Sequence, residues 1–227
     1  MVRFIGEFGN VGERPGQDGR LDAPAFHRNH QPIWSVLCQF LNGKAGDVLE
    51  VGSGTGQHIV EFARHTPDLV WWPSDNDRMH LESIAAWRLH SKLPNVRPPA
   101  TIDLSEYRWK LPHHEMPGPS QLLAILCINV LHIAPWRFSE SLLGGAARYL
   151  RPDGRMFVYG PFMRNGKHTA PSNAEFDGYL RGSNVEWGIR DIEALASLAD
   201  RVELTITKVV DMPANNLILI FERTTKM

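Results

Sequence analysis

One stretch constrains everything else in this chain: Asp47-Val48-Leu49-Glu50-Val51-Gly52-Ser53-Gly54-Thr55-Gly56-Gln57-His58. Val48, Leu49 and Val51 are the aliphatic residues of a strand covered on both faces, and three glycines at alternate positions follow them. Glycine removes the side chain where a backbone must bend sharply or let a ligand come close. The pattern predicts a buried strand, a tight turn and a helix whose first amides can receive a small anion or carboxylate. That succession belongs to an α/β protein with a mostly parallel sheet.

The remaining numbers narrow the class. At 227 residues the chain is long enough for one sizeable core and short for two. We expect an N-terminal arm over residues 1–22 and a single domain over 23–227. A net charge of −1 supplies no basic field for a phosphate backbone, which speaks against nucleic acid as partner and for a small-molecule ligand. The only cysteines, Cys38 and Cys127, lie inside apolar segments and read as reduced thiols of a cytoplasmic protein. The first residues lack the apolar core of a signal peptide, and the longest apolar run, 122–128, is far below the ~20 residues that span a bilayer, so no membrane segment is expected.

Along the chain, Gly6, Gly9, Gly12, Pro15, Gly16 and Gly19 mark a mobile arm, either a plain terminus or a lid over the glycine turn. The polar cluster His27-Arg28-Asn29-His30 precedes a helix expected over 33–41, with Asn29 placed to cap it and Arg28 suited to a carboxylate. A helix over 55–65 follows the glycine turn, then a strand at 69–72. Asp75 lies just past that strand, where a carboxylate can accept both hydrogen bonds of a ribose diol; Asp77 competes with it or caps the next helix. A short strand ends at residues 101–104, bringing Asp103 to another strand end. His113 and His114 sit in a proline-rich loop without further ligands at metal spacing, so no metal is expected.

The run 122–128 is the most apolar in the chain and reads as the central strand. It delivers Asn129, His132 and Trp136 beyond its carboxyl end, with His132 the candidate base. A helix over 138–150, a turn at 151–154 and a strand over 155–160 come next. Residues 162–187 are polar and glycine-dotted, and read as a long loop covering the substrate. The chain closes with a helix over 191–199 and strands at 202–210 and 217–221 whose join is short enough only for an antiparallel pair, so the sheet should carry one reversed last strand.

Glycine turns of this kind serve dinucleotides, phosphates and S-adenosylmethionine alike. Here Glu50 before the first glycine, the loop Gly52-Ser53-Gly54-Thr55-Gly56 and the acid Asp75 resemble motif I and the ribose-binding acid of class I S-adenosylmethionine-dependent methyltransferases. From Ala25 to Glu222 the order of elements matches that fold. The phrases RNHQPI, LEVGSGTGQH, PSDND, NVLHIAPW, RPDGRMFVYGPF, HTAPSNAEFD and MPANNL resemble the methyltransferase-like 26 group, formerly filed as a domain of unknown function. The resemblance implies a Rossmann-like, seven-stranded, mostly parallel sheet with an antiparallel last strand and helices on both faces. It implies S-adenosyl-L-methionine as cofactor, held by Glu50, Gly52, Ser53, Gly54, Gly56, Asp75 and Asn76, with Arg28, Asp103, Leu104 and Asn129 joining them.

On the acceptor side the expectation is Asn29, Trp136, Tyr159, Phe162, Asn173 and Asn215 around His132. The expected function is methyl transfer to a small molecule. The chain lacks the N/D-P-P-Y/F signature of amino-group methylation on nucleobases or glutamine. A cofactor-binding sensor without turnover is the alternative. Glu50 and the reversed last strand argue against a nicotinamide-dependent reductase.

Overall fold

The computed structural model describes residues 18–106, 108–109, 111 and 116–224. The glycine-rich stretch up to residue 17 and the pair His113–His114 lie outside the described residues. Seven strands form one mixed sheet in the order β3-β2-β1-β4-β5-β10-β9, where β1 is Gly46–Val51, β2 Leu69–Asp75, β3 Ala100–Thr101, β4 Leu122–Ile128, β5 Leu150–Gly160, β9 Leu204–Met212 and β10 Asn216–Arg223. β1 pairs with β2, β2 with β3 and β4 with β5 in parallel, whereas β10 is antiparallel to both β5 and β9. This is the Rossmann-like arrangement with a reversed last strand. In space that strand lies between β5 and β9 rather than at the sheet edge.

By density of contacts the described residues divide into two compact units: those up to Ile102 with Met116, and those of 103–111 with everything from Pro117 on. In unit one, α1 (Pro24–Leu41), α2 (Gln57–His65) and α3 (Arg78–Ser91) accompany β1 to β3. Val48, Leu49, Ile59, Phe62 and Trp71 are almost wholly buried there. The Asn95 amide ties the end of α2 to β2 by donating to the carbonyls of Ala63, Thr66 and Leu69.

α1 begins nine residues earlier than expected. Pro24 occupies its first turn and Pro32 lies within it. Proline suits a first turn, which is why Pro32 reads as a helix start. The helix runs through it because Ile33, Val36, Leu37, Phe40 and Leu41 bury one continuous stripe. Asn29 is therefore an interior helix residue and does not cap.

In unit two every residue of β4 is buried, so both faces of that strand are covered. Unit two also holds α4 (Trp136–Tyr149), α5 (Pro171–Ser183), α6 (Ile192–Asp200) and a small sheet, β7-β6-β8, of Lys167–His168, Phe162–Arg164 and Arg190–Asp191. Two expectations are corrected here. The turn at 151–154 is absorbed into β5 as a bulge: β4 pairs Leu122 with Leu150, then Ala124 with Arg155. Residues 162–187 are not a loop, since they contain β6, β7 and the 13-residue α5. The inward positions of α5 are Asn173, Phe176, Asp177 and Leu180. That stripe has helical spacing, but half of it is polar, which hides the period from a hydrophobicity pattern.

Candidate functional site

In unit one the glycine turn opens from the carboxyl end of β1. Gly52, Gly54 and Gly56 all have left-handed φ, of 72°, 55° and 88°. Two different needs lie behind them. A Cβ on Gly56 would sit 2.9 Å from the Ile84 Cα, so this glycine lets α2 approach α3. A Cβ on Gly54 would meet nothing within 4 Å, so there the demand is the left-handed backbone, and the space above the loop is open.

Ser53 and Ser74 latch the turn to β2. The Ser53 amide donates to the Ser74 carbonyl at 2.8 Å, and the Ser74 hydroxyl donates to the Glu50 carbonyl at 2.7 Å. Asp75 then closes onto the loop: one carboxylate oxygen accepts from the Gly54 amide at 2.9 Å, the other from the amides of Asn76 and Asp77. The same oxygen faces His80 Nδ1 at 3.3 Å, and the carboxylate raises the His80 pKa above its ordinary value. Asp77 accepts from the amides of Met79 and His80 and is the N-cap of α3, which leaves Asp75 as the acid at the turn.

Glu50 is 1% exposed, and burial pushes its carboxyl up to about 8. Its Oε2 is buried without a hydrogen-bond partner among the described residues. Such an oxygen demands a donor, and beside an open glycine loop a bound cationic group would supply one.

Several polar residues here are absent from the expected set. The Gln57 side chain accepts from the Ala23 amide and the Thr55 hydroxyl and donates to Asp22 at 2.6 Å. Ser83 accepts from the Leu21 amide and donates to the Thr55 carbonyl, while the Trp87 indole donates to the Leu21 carbonyl. Residues 21–23 are thus clipped across the start of α2 and the middle of α3 beside the glycine turn, and Leu21 is buried. The signal was a glutamine and a serine at inward helix positions. Asn29, expected on the acceptor side, pairs its Oδ1 with His58 Nε2 at 2.7 Å. Burial drops the His58 pKa to about 3, so that ring donates while neutral. Arg28 is exposed on α1.

In unit two Asp103 accepts from the Ser105 amide and shapes the turn after β3, with Leu104 buried next to it. At the carboxyl end of β4, Asn129 adopts φ of 58° and its amide donates to the Tyr159 carbonyl. The 3-10 turn Leu131–Ile133 follows. His132 within it is 3% exposed, and burial, followed by the charge of Arg190, lowers its pKa to about 3. Its ring meets Phe176 edge-on at 5.5 Å, and a Cβ on Gly160 would sit 3.4 Å from its Nδ1.

Arg190, which sequence reasoning missed, holds this turn. It donates to the carbonyls of Leu131, Ala134 and Glu186, and Gly188 donates its amide to the His132 carbonyl. The Arg190 guanidinium lies 6.0 Å from the half-buried Trp136 ring. Tyr159 and Phe162 are 6% and 2% exposed, within the core of the unit. Asn173 donates to the Thr169 hydroxyl and the Asn215 carbonyl, joining the HTAPSN and MPANN segments. No group of three or more metal-ligating side chains occurs among the described residues, and no helix among them is long and apolar enough to cross a membrane.

A mostly parallel seven-stranded sheet with β10 reversed between β5 and β9, and a glycine turn at the carboxyl end of β1, is a class I methyltransferase-like fold. Solved structures of that kind share it. An O-methyltransferase family protein from Burkholderia thailandensis superposes with a TM-score of 0.72 at 16% identity, over 89% of this chain and 58% of that one. An O-methyltransferase family 2 protein from Planctomyces limnophilus, in complex with apigenin, gives 0.70 at 18%, over 86% and 56%. The methyltransferase CalO1 of calicheamicin biosynthesis, in its SAH-bound form, gives 0.63 at 19%, over 83% and 52%. The chain spans about half the length of these structures. Residues 20–223 match the model of the DUF938 family, described as proteins of unknown function, and the chain belongs to that family.

Proposed function

We propose that this protein is an S-adenosylmethionine-dependent methyltransferase of the methyltransferase-like 26 kind, acting in the cytoplasm on a small-molecule acceptor. The observation that carries the reading is the glycine turn closed on Asp75 next to the buried Glu50 carboxyl. Those residues fit the cofactor. The orphaned Glu50 oxygen suits its ammonium group, Asp75 its ribose hydroxyls, and the open space at Gly54 its close approach. When bound, the cofactor supplies a sulfonium methyl group.

The residues of unit one bind and orient. Asp75, already held by three backbone amides, is presented without reorganisation, and the buried Glu50 carboxyl, neutral when free, would be drawn to ionise by a cation bound beside it. On unit two the neutral imidazole of His132 suits the task of orienting the acceptor or taking up its proton. Orientation alone lowers the barrier substantially, and a base is needed only if the nucleophile starts protonated.

Isothermal titration with S-adenosylhomocysteine tests the reading. Asp75→Asn keeps the volume but turns an NH2 toward one of the backbone amides that Asp75 now accepts from, and should weaken binding by at least ~1.5–3 kcal/mol, the range for a hydrogen bond to a charged group. Absence of binding to the wild type would remove the proposal. Binding with no label transferred from methyl-labelled S-adenosylmethionine to any fraction of a cell extract would leave a cofactor-binding sensor.

A further inference from the structure

We propose that unit two carries an oxyanion-binding cleft that receives the carboxylate or phosphate end of the acceptor; this rests on the methyltransferase reading. The cleft has a volume of about 450 Å³, and Arg164, Lys167, His168, Thr169, Asp211 and Asn215 are among its lining residues. Its construction favours an anion.

Arg164 and Lys167 are direct cross-strand partners in the two-residue hairpin between β6 and β7. Like charges directly opposite on a ladder repel, and an anion between them relieves the repulsion. The hairpin is held in place: Asn165 and Gly166 take left-handed φ of 50° and 71°, and their amides donate to Glu193 and Asp191. Those carboxylates are engaged by the turn. Asp211 is the acid of the cleft itself, 3.5 Å from Arg164, and the two side chains are 46% and 90% exposed. An ion pair that open to water is weak and leaves the guanidinium available. Lys167 has no ion pair among the described residues.

The opposite turn adds polar groups at fixed positions. Ala214 and Asn215 are consecutive left-handed residues without being glycine, a strained geometry that tends to persist where a site needs it. Asn173 secures the turn by donating to the Asn215 carbonyl, and it also donates to Thr169. One helical step further along α5, Phe176 packs on the His132 ring. A single helix therefore sets both the cleft and the candidate catalytic histidine.

The test is a titration of the isotopically labelled full chain with inorganic phosphate and, separately, with succinate, at constant ionic strength set by chloride. Amide signals of residues 164–169, 211–212 and 214–217 should shift and saturate. Whichever probe saturates at lower concentration identifies a phosphate or a carboxylate end. Lys167→Gln and Arg164→Gln should each weaken binding about threefold or more, since each removes one partly exposed charge. Asp211→Asn should tighten it, an effect opposite in sign to any loss from misfolding. Shifts that never saturate, or that are unchanged in all three variants, overturn the cleft. Binding of S-adenosylhomocysteine, measured on the same samples, is independent of these side chains. If it binds and neither probe does, only the cleft fails; if the probes bind and it does not, the methyltransferase reading fails.

Discussion

At the scale of single residues the protein uses burial to fix protonation. His132 is surrounded by Phe176, the Gly160 backbone and the Arg190 charge, and with a pKa of about 3 it is neutral throughout the physiological range. A neutral imidazole is ready to accept a hydrogen bond or a proton, yet its depressed pKa makes it a weak base in the free protein. His132→Gln should lower the rate of methyl transfer by a factor at the low end of the ~10²–10⁴ range of a positioned acid or base, since so weak a base contributes less. It should leave S-adenosylhomocysteine affinity unchanged. Because the ring does not titrate between about pH 5 and 8, the wild-type rate should show no inflection from this residue there. A rate profile with a step near 6.5 that vanishes in the variant would contradict the buried neutral ring.

At the scale of elements the clip of residues 21–23 across α2 and α3 is the feature nearest the glycine turn. Gln57 is 3% exposed and makes three hydrogen bonds, so Gln57→Ala strands the Ala23 amide and takes one donor from Asp22, which keeps His27 as a partner. Unsatisfied buried groups cost ~1–3 kcal/mol each, and thermal or denaturant unfolding should register a loss of that order. Cofactor affinity should fall with it; unchanged affinity would make the clip purely structural. What the sequence made legible follows the same physics. Strands such as β1 and β4 stand out because both faces are apolar, and the glycine turn and Asp75 stand out because few alternatives suit a strand-turn-helix. α5 stayed hidden because Asn173 and Asp177 interrupt its inward stripe, and α1 was shortened because Pro32 imitates a first-turn proline. Asn29, Arg190 and Gln57 each take at least one partner 29 or more residues away, which no local pattern encodes.

At the scale of the whole molecule the buried titratable groups predict how stability varies with pH, and the signs oppose one another. His58 and His132 have folded pKa values of about 3 against about 6.5 when unfolded, so the unfolded chain binds more protons between those limits. Their contribution is intact above 6.5 and is lost as pH falls through this window. Glu50 runs the other way: its folded pKa of about 8 lies above the unfolded 4.5, so its contribution is intact below 4.5 and declines as pH rises toward 8. His80, raised by Asp75, adds to the decline on the alkaline side. Each such group contributes a slope of about 1.4 kcal/mol per pH unit inside its window. From pH 4.5 to 6.5 the two histidines outweigh the one carboxyl, and stability should climb at roughly one such slope per pH unit; above 6.5 only the falling terms remain. Urea unfolding across pH 4 to 9 should therefore show maximum stability near 6.5. Glu50→Gln should flatten the alkaline limb and leave the acid limb steeper. A wild-type profile that rises steadily to pH 8 would show that Glu50 is ionised in the folded protein.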